Sequence, residues 1–524
     1  MARAPRSADR MKGKNAELLY IKRENLSGGQ NDQYDAGLIG EDQLTVATNA
    51  DLGVPGKVDK RPGITLIADD VGTRTMQLQS YYPTGVAARL YRVEGVNVRK
   101  WTGSGNWSSS LGTVTTGLDT DILQGGESGE NEVVFLQNGT DNPQRIQSID
   151  TFQDLGATAT SPPKSVINLF WRNRWWVLKN GFLYYSDAFS ADYSGAFNSA
   201  NGFRFSGYGA DKGLSSIRDQ GIFIFLQNGI WALNPSATPA ATDVPELITN
   251  DHGAVERKCI EQVGDDIFYL APDGIRSLKR TLQDKLQLGT SFPLSFPLKT
   301  ETENIDWSKS SKFHMKFWQD KLFFFFVRTG GSDINRAWVY WPANDPEKIG
   351  KSWSIITGLT ITSLEKFFVF GKEQLYGGST DGKVYQIWNS TNDDDGTAID
   401  FAIETRDEDM GYKSQFKWGG EVEIICETTS AAESVEVSAL IDGGGYTSIG
   451  TVDLIASGPT LPVNLPFNLT ATGRAYGKFH LDDLGRWKTI RLKITHDNVN
   501  GAETIRILSY AITSFLDEYL SEEN

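Results

Sequence analysis

The chain has 524 residues, a formal net charge of −15, 53 glycines, 11 % aromatic residues, four histidines and two cysteines. So few histidines argue against a multi-histidine metal centre, and Cys259 and Cys426 make no disulfide framework; they read as buried thiols of a chain made in a reducing cytoplasm. The acidic balance argues against a surface built to wrap nucleic acid, and no run approaches the roughly 18 apolar residues of a membrane span.

The first 70 residues read as an N-terminal arm and lead-in strand. The arm is basic (Arg3, Arg6, Arg10, Lys12, Lys14) and lacks the apolar core of a secretory signal. Pro55-Gly56 and Pro62-Gly63 predict two tight turns around a short strand. From Met76 to Asn389 strand patterns recur with no helical pattern among them. Phe-Leu-Gln-Asn-Gly occurs at Phe135–Gly139 and again at Phe225–Gly229, 90 residues on. Related turns stand at Glu94-Gly95, Asn138-Gly139, Asn180-Gly181, Asn228-Gly229, Asp273-Gly274 and Asp381-Gly382, with intervals of 44, 42, 48, 45 and 108 residues. A unit of about 45 residues is the size of a four-stranded propeller blade, and an apolar run broken by Asn-Gly or Asp-Gly signals a hairpin. The long last interval holds a degenerate unit around Leu322–Trp341, with the longer turn Thr329–Asn335. Residues 71–391 are therefore expected to form a β-propeller of about seven blades, six or eight remaining open, with the strand near Ile64–Ile67 closing the ring.

Asn392–Gly396 marks a polar break, a solvated turn or, less in keeping with its spacing, a calcium loop. Beyond it the texture changes to alternating strands, seven of them between Ala398 and Phe515, with Val435 and Val437, and Ile490, Leu492 and Ile494, as period-two faces. Residues 392–524 are expected to form a C-terminal β-sandwich, with Ala456–Pro466 as its longest irregular piece and a frayed acidic end at Asp517–Asn524. The expected fold class is all-β.

No nucleophile elbow, phosphate loop or dinucleotide fingerprint stands in a strand–turn–helix context. Asp265-Asp266 and Asp482-Asp483 are adjacent, and neighbouring strand residues face opposite ways, so neither is an acid–base pair. No enzyme activity, cofactor or metal is expected. A propeller hydrolase with carboxylates from different blades stays open. Trp171, Trp175, Trp176, Trp338 and Trp341 are expected to pack blade against blade, a sugar-stacking platform being the alternative.

Several stretches resemble a known family. They are Asn49-Ala50-Asp51 leading to Lys60-Arg61-Pro62-Gly63, Trp171–Asp187, Asn228–Leu233 and Gly264–Leu278, which ends Asp-Gly-Ile-Arg-Ser-Leu. Over roughly residues 40–390 these resemble the tail nozzle or hub proteins of short-tailed bacteriophages, the tail tubular protein B or packaged-DNA stabilisation type. The resemblance implies a virion tail protein made in the host bacterial cytoplasm. It implies a hexameric ring below a head–tail adaptor ring, carrying fibres or spikes, whose lumen passes genomic DNA and gates its ejection. An acidic lumen would suit DNA sliding. Arg61, Pro62 and Gly63, and Arg3, Arg6 and Arg10 of the basic arm, are the expected partner-binding positions; Arg61 is equally suited to pairing with a blade carboxylate. A glycan-binding tail protein or adhesin, and a propeller glycoside hydrolase, are the rival readings.

Overall fold

The structure is a computed structural model that describes residues 17–517 apart from 69–71, 127–131, 191–192, 206, 218–219, 241, 289–290, 347–349, 456–472 and 497–503. Arg3, Arg6 and Arg10, the irregular piece at 456–466 and residues 518–524 lie outside the described residues.

Each glycine turn of the repeat sits at the same place in its unit, between the second and third strands of an antiparallel sheet. The first blade comprises Thr75–Tyr81, Arg89–Glu94, Asn97–Trp101 and Gly112–Thr113. The second runs from Asp121–Gly125 to Phe152–Asp154, the third from Asn168–Trp171 to Phe197–Arg204, and the fourth from Asp211–Ile217 to Glu246–Thr249. The turns work because their backbone suits the sheet's twist. Asn180 (φ 52°) and Gly181 (φ 70°) both take the left-handed region that two-residue hairpins favour. A Cβ at Gly181 would also sit 2.5 Å from the Phe205 carbonyl oxygen.

The fifth blade keeps only three strands, Ile260–Val263, Asp266–Ala271 and Gly274–Ser277. In place of a fourth comes a helix, Leu278–Leu288, followed by a short one at Lys299–Glu303. This corrects the expectation of a helix-free repeat region. Leu278, Leu282 and Leu286 recur at the four-residue step of a helical face. Ser277 caps the helix, its Oγ accepting from Arg280 N at 3.0 Å while donating to Asp266 Oδ2 at 2.6 Å.

The closing blade comprises Ile361–Val369, Lys372–Ser379 and Val384–Ile387, and its outer strand is Ile64–Leu66 from the N-terminal segment, with Ile64 opposite Ile387. The strand expected to close the ring does so. About seven blades were expected, with six or eight open; among the described residues six separate blade sheets are found. The remaining sector, His314–Trp318 to Trp353–Ile356, is fused into a nine-stranded sheet, because Ile355 pairs in parallel with Thr48, and Val46–Thr48 in turn pairs with Phe401–Glu404. The first strands of the six blades and of this sector touch in ring order, the closing blade meeting the first.

The C-terminal strands do not form a self-contained sandwich. Beyond Phe401–Glu404 the nine-stranded sheet takes in Ile490–His496, Ser434–Ile441 and Tyr446–Asp453. A seven-stranded sheet built on Lys417–Glu427 and Arg506–Leu516 recruits Leu18–Arg23, Ala50–Asp51 and Val58–Lys60 from the N-terminal segment. One apolar core runs from Phe323 and Trp338 in the fused sector through Val422, Ile424, Ile490 and Ile512. Alternation shows which residues are strands and which face they bury, but not which distant strand lies beside them.

Candidate functional site

Two charged networks organise the molecule, one where the N-terminal segment meets the C-terminal sheets and one on the propeller axis. The first is built from three consecutive residues, Asp59, Lys60 and Arg61, all buried. Asp59 lies opposite Arg506 in the antiparallel pair and accepts two hydrogen bonds of 2.7 Å from its guanidinium. Lys60 Nζ lies 3.3 Å from His496 Nδ1, and His496 Nε2 lies 2.9 Å from Glu433 Oε2. Burial pushes the Lys60 ammonium below its ordinary range against the pull of Glu433. The Arg61 guanidinium grips Asp394 bidentately at 2.9 and 2.5 Å, and its Nε donates to Asn49 Oδ1 at 2.9 Å.

Among the positions singled out in the sequence, these contacts place Arg61, Pro62 and Gly63. Arg61 is 1 % exposed and paired with a carboxylate, the alternative left open for it in the sequence, though that carboxylate is on the 392–396 segment and not on a blade. Its partner belongs to the Asn392–Gly396 segment, which packs on the turn: Gly63 N donates to Thr391 O and Ile64 N to Asp393 O. A Cβ on Gly63 would lie 1.7 Å from the Asp393 carbonyl oxygen, so only glycine fits. Pro62 is half-buried beside them, its carbonyl accepting from Arg61 at 3.1 Å. The triple-aspartate segment is thus a docking strap with one carboxylate committed to Arg61.

The second network lies where the first strands of the ring converge. Arg257, just before the first strand of the fifth blade, crosses the axis to the second blade. There it bonds Asp119 at 2.6 Å, Asp121 at 2.7 Å and the Thr120 carbonyl at 3.2 Å. Lys258 adds a second cation to Asp119 and donates to Met76 O in the first blade at 3.1 Å. Asn168 of the third blade donates to Asp121 at 2.6 Å. Lys316 of the fused sector pairs with Glu365 of the closing blade at 2.8 Å, and Glu365 accepts from Ser80 Oγ of the first blade at 2.6 Å. Burial pushes the Asp121 carboxyl up to about 6 against the attraction of Arg257. The axial carboxylates Asp119, Asp121 and Glu365 are each bound by a cation, and together these bonds tie opposite blades across the channel.

Nothing in the sequence flags this second network. Asp119-Thr120-Asp121 and Arg257-Lys258 are ordinary charged runs until the ring places both at the axis. The tryptophans pack between sheets as expected: Trp175, Trp176 and Trp338 are at most 1 % exposed, and Trp175 stacks on Phe135 of the second blade with centroids 4.1 Å apart. Among the described residues no group of three or more His, Cys, Asp or Glu is arranged to hold a metal ion, and no helix is long and apolar enough to cross a membrane.

No protein-family model and no curated protein matches the chain. Solved structures similar to it include BBS1N in complex with ARL6DN, at 10 % identity and TM-score 0.39, covering 63 % of this chain and 98 % of that one. Another is PorZ, a surface component of the type-IX secretion system of Porphyromonas gingivalis, at 10 % identity and TM-score 0.38, covering 68 % of this chain and 44 % of that one. A third is the exo-β-1,3-galactanase of Phanerochaete chrysosporium, at 8 % identity and TM-score 0.24, covering 86 % of this chain and all of that one. At these values none bears on what this chain does.

Proposed function

We propose that the protein is a non-enzymatic structural subunit of a bacteriophage tail, one copy of a nozzle or hub ring that conducts and gates DNA and carries tail appendages. The reading starts from the resemblance of the Lys60–Gly63 and Gly264–Leu278 stretches. The observation that carries it is the axial network. Arg257 of the fifth blade spans the axis to Asp119 and Asp121 on the far side and so braces the ring from within. Such a body is a braced spacer, with the fused sector coupling the propeller to the C-terminal sheets. A DNA conduit would then lie between copies and not through the propeller, and the ring would be a hexamer contacting the head–tail adaptor.

The test is the mass of the purified chain, with negative-stain images, alone and mixed with the adaptor protein of the same phage. Six-fold rings with a hole wide enough for duplex DNA are expected. A monomer or trimer that persists with the adaptor present would overturn the reading and make a glycan array the next experiment.

A further inference from the structure

Above the axial network, on the face bearing the glycine turns, the starting ends of the inner strands surround a cavity of about 450 Å³. Three cations from three sectors line it: Arg74 of the first blade, Lys258 of the fifth and Lys312 of the fused sector. Its two lining carboxylates are Asp119, shared by Arg257 and Lys258, and Asp333, shared by Arg74 and Lys312. The lining itself thus holds three cations and two carboxylates, while below it Arg257 is shared by Asp119, Asp121 and Glu256. A chain with a net charge of −15 therefore lines this cavity with one more cation than carboxylate.

Two further groups stand beside these cations. His314, 3 % exposed, has an Nε2 atom with no partner among the described residues. Burial above all, with Lys258 and Arg74 adding to it, pushes its imidazole down to about 3, so it stays neutral. Asp333 already demonstrates the geometry of capture. It rides on the loop between Phe326 and Arg336, and its Oδ2 is bonded to Arg74 and lies 3.3 Å from Lys312 Nζ. Burial works to raise its carboxyl, but hydrogen bonds from Arg74, the Ile334 amide and Lys312 hold it below its ordinary range. The lining has room at Gly117, where a Cβ would meet nothing within 4 Å.

We propose that this axial funnel is an oxyanion site, taking one small phosphate- or carboxylate-bearing ligand against Arg74, Lys258 and Lys312, with Asp333 as the internal carboxylate it competes with. A guanidinium and two ammonium groups around one partly open mouth suit charge-assisted bonds to such a group. This holds whether or not the chain forms a tail ring.

The test is calorimetric titration of the full chain with inorganic phosphate and, separately, citrate, at constant ionic strength set with chloride. One anion per chain is expected, weakened at least tenfold in the double variant R74Q/K312Q and strengthened at least threefold in D333N, which leaves the three cations in place. Binding of phosphate alone assigns the site to phosphate esters; binding of citrate alone assigns it to carboxylates. Failure of both anions to bind the native chain overturns the proposal, as does affinity unchanged in R74Q/K312Q. Should the double variant not fold, unchanged affinity in D333N overturns it equally.

Discussion

The joint at Asp59–Arg61 and the network on the propeller axis are both made of buried ion pairs, yet they are built on opposite plans. At the joint, Arg61 is matched with Asp394 from a distant chain segment, the two being 1 % and 10 % exposed, while Asp59 nearer the surface shares Arg506 with Glu427. On the axis the pairs are shared, one carboxylate serving two cations, and the network opens to solvent at one mouth, where Asp119 is 31 % exposed. Pairing inside a core fixes which segments meet and tolerates no loss. Sharing near a mouth leaves each member a second partner or water.

The largest expected effect is therefore at the joint. Arg61→Ala strands the Asp394 carboxylate without its counter-charge. The expected loss is about 3–5 kcal/mol of unfolding free energy in a denaturant titration, the range for breaking one partner of a buried pair. A loss under about 1 kcal/mol would show that Asp394 turns out to water and that the strap is not held by this pair.

Arg257→Gln is expected to cost less, about 1.5–3 kcal/mol, because Asp119 keeps Lys258 and Asp121 can protonate. A cost equal to that of Arg61→Ala in the same titration would erase the distinction between matched and shared pairing.

The joint and the axis also differ in how far the sequence discloses them. The repeat is readable because Asn-Gly and Asp-Gly turns must recur wherever second and third strands meet, and turn chemistry is local. The Lys60–Gly63 stretch is readable as a special turn, but its role is not. Arg61 points inward because Asp394, 333 residues away in sequence, waits there, and no local pattern announces that. The fused sector and the borrowed strands Leu18–Arg23 and Val58–Lys60 escape for the same reason, since period-two alternation is satisfied by any partner strand. The helix Leu278–Leu288 was legible in its leucine spacing but lay inside a region read for period two. The axial network is the least legible, because Arg257 and Asp121 become neighbours only when the ring closes.

A pH series sharpens the axial half of the contrast. Asp121 has its folded-state value pushed up to about 6 by burial, against about 3.9 for an exposed aspartate. The folded chain then holds the extra proton between those values, so this group's contribution favours folding below about pH 4 and is lost as pH rises through 6. The expected outcome is that the native chain loses stability relative to Asp121→Asn as pH goes from 4 to 7. A difference that stays flat over that range would mean that Arg257 keeps Asp121 ionised throughout.

The smallest effect is expected at the mouth itself. Asp333→Asn removes the partner of both Arg74 and Lys312, a change that would be severe at the joint. Here the carboxylate is 30 % exposed and the two cations are 25 % and 33 % exposed, so water can solvate what the substitution frees, and exposed pairs contribute about 0–1 kcal/mol. Asn also preserves the side-chain oxygen that accepts the Ile334 amide at 2.8 Å, so the loop keeps its turn. The unfolding free energy of D333N should therefore stay within about 1 kcal/mol of the native chain at neutral pH. A larger loss would mean that Asp333 clamps the mouth as Asp394 clamps the joint, and that the two networks differ in position but not in kind.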